Sequence, residues 1–74
     1  MARVLTLHVR ERLKQRKISE AQLNYALDHL TGRREAGTPG SIWVYGRAPG
    51  GRMLKVCVSS ADPDVIITAV WCDA

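Results

Sequence analysis

The apolar residues of this chain change their spacing partway along, and that change sets the fold class. In the first part, Val9 and Leu13 lie four apart, and Leu23, Ala26, Leu27 and Leu30 follow at intervals of three, one and three. Such spacings gather apolar groups on one face of a helix. In the last part, Ser41 to Arg47, Arg52 to Ser59 and Val65 to Trp71 are rich in β-branched and aromatic residues and alternate as strands do. Helices first and strands after predict an α+β domain, with two N-terminal helices packed on a three- to four-stranded antiparallel sheet. A chain of 74 residues makes one such domain, residues 1–74. A domain of this size buries only about 60% of the surface of its unfolded chain, so its core has little to spare.

Capping residues set the expected boundaries. Thr6 suits the N-cap of a helix from about Leu7 to Lys17. Ser19 and Gln22 have the spacing of a capping box, which starts a second helix from about Glu20 to Leu30. Glu20 in the first turn and His29 in the last both suit the helix dipole. Gly32 suits a left-handed cap after the second helix. Three glycines and a proline in residues 32 to 40 predict an irregular loop. Ala48-Pro-Gly-Gly51 and Ala61-Asp-Pro-Asp64 read as turns between the three strands. A short strand near residues 3 to 6 is the candidate for a fourth.

A turn centred between Asp62 and Pro63 sets the last register. It pairs Cys57 with Thr68 and Met53 with Cys72. The two cysteines are then about 13 Å apart along the strands, beyond disulfide reach, and they read as reduced, small apolar fillers. No cysteine or histidine spacing suits zinc, and no metal or cofactor is expected. The same register places Leu54, Val56, Val58, Ile67, Ala69 and Trp71 on an uncharged face against the helices. Met53, Lys55, Cys57, Ser59, Ile66, Thr68 and Val70 occupy a mixed, open face, with Lys55 and Thr68 as its reactive candidates. The first hairpin admits two registers. A four-residue loop turns Trp43 and Tyr45 to the core, and a three-residue loop turns Ile42 and Val44 there.

Charge narrows the function. Six cations through residue 17 (Arg3, Arg10, Arg12, Lys14, Arg16, Lys17) face only Glu11, although the whole chain has a net charge of +4. His8, Arg12 and Arg16 fall at successive intervals of four and line one side of the first helix, beside the core face of Val9 and Leu13, so His8 and Arg12 are expected to form the fixed inner end of the stripe. One titratable imidazole beside two permanent cations suits a phosphate, and the excess charge favours polyanions. Arg33 and Arg34 lie in the predicted loop, where they reach outward. No apolar run approaches the roughly 20 residues that span a bilayer, and the apolar start is too short for a signal peptide. A soluble, cytoplasmic protein is expected.

His8, Arg12 and Arg16, then Ile18-Ser19, a second helix, a Gly-rich hairpin with Gly51-Arg-Met-Leu-Lys-Val56, and Ile67-Thr68 near the end together resemble a widespread small bacterial domain family of formerly unknown function. That family is similar to the RelE/ParE and BrnT toxins, within the barnase, EndoU, colicin and RelE group of nucleases. The resemblance covers about residues 4 to 71. It implies helices on one face of an antiparallel sheet and a metal-independent endoribonuclease site on the other face and nearby edges. By position, His8, Arg12, Lys55 and Thr68 are the implied catalytic residues. His8 would serve as general base or acid, Arg12 and Lys55 would stabilise the phosphate, and Thr68 would position it. Arg10, Arg16, Arg33, Arg34, Arg47 and Arg52 are the further candidates for contacting nucleic acid. The expected partners are RNA and an antitoxin or other protein, with the domain as a monomer or small homo-oligomer. The alternative is a non-catalytic module of the same fold that binds a protein or nucleic acid.

Overall fold

The computed structural model describes residues 3–72. Helices α1 (Leu7–Gln15) and α2 (Glu20–Asp28) precede strands β1 (Leu30–Ala36), β2 (Ser41–Arg47), β3 (Met53–Ser59) and β4 (Ile66–Trp71). The strands form one antiparallel sheet in the order β1-β2-β3-β4. The two helices pack on one face of it, which is the expected α+β architecture.

The caps act as their residue types predict. Thr6 Oγ1 accepts from the Val9 N–H at 3.2 Å. Ser19 Oγ accepts from the Gln22 N–H at 3.0 Å, and Gln22 Oε1 accepts from the Ser19 N–H at 2.9 Å. These bonds satisfy backbone donors that the first turns leave without partners. Both helices stop two residues earlier than expected. Lys17 adopts a left-handed backbone (φ 57) that turns the chain, and the Ile18 N–H reaches back to the Leu13 carbonyl at 2.8 Å. Ile18 is thereby drawn into the core. After α2, His29 leaves helical geometry, and Leu30 enters the sheet.

The expected loop at residues 32 to 40 is a correction. Its first half belongs to β1, which pairs with β2, and only residues 37 to 40 turn. All seven residues of β1 are exposed, so none of the apolar alternation that marks a strand is present. Pairing to β2 makes it one. Gly32 (φ 91) lies in a bulge between Leu30 and Arg34 instead of capping α2. The fourth strand is therefore β1. The lead-in at residues 3 to 6 contributes one parallel bridge, Val4 to Val65.

The β3–β4 register runs as expected from Leu54–Trp71 to Cys57–Thr68. A bulge then pairs Val58 with Ile66 and exchanges the two isoleucines. Ile66 is 2% exposed in the core, and Ile67 is 41% exposed. In the first hairpin Ile42 pairs with Val58 and Val44 with Val56. Ile42 and Val44 therefore face the helices, while Trp43 and Tyr45 face outward. The core joins Val9, Leu13 and Ile18 to Leu23, Ala26, Val44, Leu54, Val56, Val58, Ile66 and Ala69. Gly46 sets the depth of α2. A Cβ there would lie 2.7 Å from the Ala26 carbonyl carbon, so only glycine allows this approach. Cys57 and Cys72 are both free thiols.

Candidate functional site

Helix α1 rests on β4, which is an edge strand. Its basic stripe therefore runs beside the border of the sheet. The stripe is not straight, because four residues advance about 40° beyond one full turn. That drift carries the third member toward the buried side marked by Val9 and Leu13. Arg16 is accordingly half-buried, while His8 and Arg12 are exposed. The anchored end of the stripe is thus Arg16, the reverse of the sequence-based expectation that His8 and Arg12 form its inner end.

Arg16 reaches across the edge of β4. Its guanidinium donates to Thr68 Oγ1 at 2.8 Å and to the Ala69 carbonyl at 2.9 Å. The Trp71 indole N–H donates to the Arg16 carbonyl at 3.0 Å. These contacts cover backbone that an edge strand otherwise presents to other chains. They also join the basic stripe to Thr68. The side chains of His8 and Arg12 make no hydrogen bond or ion pair to another described residue. Arg10 is paired with Glu20 at 2.6 Å, and Arg3 with Asp28 at 2.8 Å, so part of the N-terminal charge is already matched.

The open face carries a second group. Glu35, Trp43, Cys57 and Thr68 form one row across the four strands. Lys55 stands one row along, opposite Tyr45 and Val70. Lys55 and Thr68 are thus diagonal neighbours on one face, about 7–8 Å apart. Lys55 Nζ lies 4.5 Å from the centre of the Trp43 ring and 5.9 Å from that of Tyr45. The Arg33 guanidinium covers Tyr45 at 4.4 Å. Both cations are 3.9 Å from the Glu35 carboxylate. Tyr45, only 7% exposed, donates its hydroxyl hydrogen to Glu35. That hydrogen bond holds the Glu35 carboxyl below its usual range, against partial desolvation and with help from the charges of Arg33 and Lys55. The same bond pushes the Tyr45 phenol up, and burial adds to it.

The other candidates are dispersed. Arg34 pairs with Val44 and so belongs to the helix side of the sheet, opposite to its neighbour Arg33. There it lines a cleft of about 160 Å³ with Arg3, Leu27, Leu30 and Ile42. Arg47 is exposed at the end of β2, and Arg52 stacks on Trp71 at 3.8 Å. Sequence reasoning missed Glu35, Trp43 and Tyr45. The turn residues Thr38-Pro39-Gly40 before a strand were a hairpin signal that would have placed Glu35 opposite Trp43.

Among the described residues no group of three or more His, Cys, Asp or Glu could hold a metal ion. No helix among them is long and apolar enough to cross a membrane. No curated protein and no solved structure matches the chain. A family model does match, over residues 5–71, which is nearly the whole sequence. The chain belongs to the family described as Domain of unknown function (DUF4258).

Proposed function

We propose that this domain is a toxin-like RNA-binding protein that cleaves RNA without a metal, at the border between α1 and the open face of the sheet. The observation that carries the reading is the Arg16–Thr68 hydrogen bond, which brings the basic stripe and the open face together. The resemblance to RelE/ParE and BrnT toxins supports the same assignment.

RNA supplies its own nucleophile, the 2′-OH. Cleavage needs a base for that proton, cations for the charge on the pentavalent phosphorus, and an acid for the departing 5′-oxygen. His8 carries an imidazole, a group able both to take and to give a proton, and suits either proton transfer. Arg12 and Arg16 supply positive charge from the helix side of the β4 edge, whereas the Lys55 ammonium is turned toward Glu35 and away from Thr68. The Thr68 oxygen accepts from Arg16, which leaves its own O–H free to donate to a phosphate oxygen. Glu35 stands three strands away from Thr68, about 14 Å at the usual strand spacing. It does not act on the phosphate that Thr68 would hold.

The test is cleavage of RNA in EDTA by wild type, His8→Ala and Thr68→Val. The expected result is cleavage by wild type and a loss of about a hundredfold or more in His8→Ala. Undiminished cleavage by His8→Ala, or none by clean wild type, would sink the catalytic reading.

A second reading, a non-catalytic module that binds RNA or a protein such as an antitoxin, is favoured by one observation. Among the described residues the His8 ring has no hydrogen-bond partner to fix its tautomer or orientation. Binding would then fall on charge reversal at Arg12 and survive His8→Ala. Arg12 is the informative position, because reversing Arg16 also breaks the contacts to β4.

A further inference from the structure

We infer that the open face holds an anion site of its own, formed by Arg33 and Lys55, which Glu35 occupies in the free protein and a phosphodiester of single-stranded RNA displaces. The inference rests on the RNA-binding reading above but not on catalysis. The cations are held in place by stacking, Arg33 on Tyr45 and Lys55 on Trp43. They flank one carboxylate, yet each stands 3.9 Å from it. A charge-assisted hydrogen bond would bring them to about 2.7–2.9 Å. Tyr45 holds the carboxylate by its own hydrogen bond. Glu35 therefore neutralises the two cations without satisfying their donors. A phosphate has more acceptor oxygens, and nothing tethers it to Tyr45. It can approach both cations to hydrogen-bonding distance.

Trp43 gives the site its preference for nucleic acid. The ring is half-buried on the open face, next to Glu35 and across from Cys57. Lys55 covers part of it and would shift toward a phosphate, which exposes the ring to an unpaired base. Aromatic platforms beside cationic grooves bind single strands with little regard to sequence. Glu35 acts here as a built-in competitor that lowers affinity for weak anions and yields to a strand able to stack as well.

Fluorescence anisotropy of a labelled 2′-O-methyl oligoribonucleotide, which cannot be cleaved through its 2′ position, tests the site in the full chain. Glu35→Gln keeps an acceptor for Tyr45 and removes the charge. It should tighten binding about three- to tenfold, the effect expected of one partly screened charge. Asp62→Asn removes the same charge from the β3–β4 turn and should change affinity by less than about twofold. Arg33→Gln and Trp43→Leu should each weaken binding by about threefold or more. Equal effects of Glu35→Gln and Asp62→Asn, or wild-type affinity in Arg33→Gln, would overturn the site. The Glu35 effect without metal-free cleavage overturns the catalytic reading alone. Cleavage with no Glu35 effect overturns the anion site alone. No binding by any variant overturns both the site and the RNA reading.

Discussion

The two edges of the sheet are protected in different ways. The β4 edge is covered: α1 lies over it, and Arg16 donates to the Thr68 hydroxyl oxygen and the Ala69 carbonyl. The β1 edge is bare. All its residues are exposed, and it relies on Arg33, Arg34 and Glu35 and on the bulge at Gly32. Charges and bulges are the usual means of keeping an uncovered edge from pairing with another chain. The difference divides the molecule into a half whose edge is closed by a helix joined to the core and a half whose edge strand adds no residue to that core.

The largest expected effect contrasts two leucines. Leu13→Ala on α1 removes a fully buried side chain and should cost about 2–5 kcal/mol. Leu30→Ala on β1, where the residue is 45% exposed, should cost less than about 1 kcal/mol. Urea denaturation of both variants measures the contrast, and similar losses would erase the distinction between the halves. A middle-sized effect is expected from Arg16→Met, which keeps the apolar stem and removes the donors to Thr68 and Ala69. The loss should be about 1–3 kcal/mol by the same method, with greater aggregation because the β4 edge is uncovered. A stability equal to wild type would mean that α1 alone shields the edge.

The smallest effect lies on the β1 side and depends on pH. The Glu35 carboxyl is held below its ordinary 4.5, so its contribution is present above that value and is lost as pH falls through the folded pKa. The Tyr45 phenol is raised above its ordinary 10.0, so its contribution is present below that value and is lost as pH rises through the folded pKa. The melting temperature of wild type minus that of Glu35→Gln should therefore be flat near neutrality and shrink below about pH 4.5. A difference that does not change on acidification would show that the pair is broken in solution.

Local chemistry made much of the fold legible. Thr6, Ser19 and Gln22 act within a few residues of themselves, so their caps could be read directly. The register of Cys57 with Thr68 followed from one turn. What was hidden depends on distant neighbours. β1 has no apolar face and exists because β2 offers it a ladder. The bulge that exchanges Ile66 and Ile67 sits beside the bridge from Val4 to Val65, a contact that no window of sequence contains. Of the candidate site, the stripe was visible but its inward end was reversed, because helical drift decides which member meets the sheet. Glu35 was concealed by the loop reading of its own segment.

The bridge between Val4 and Val65 also bears on how the chain finds its fold. The sheet follows chain order, so each of its three hairpins closes a short loop and loses little chain entropy. The bridge instead closes a loop of about sixty residues, and the loss grows only with the logarithm of that length. One long-range closure therefore joins a set of local ones. Two backbone hydrogen bonds of Val4, to Asp64 and Ile66, make that closure and tie the lead-in before α1 to the start of β4.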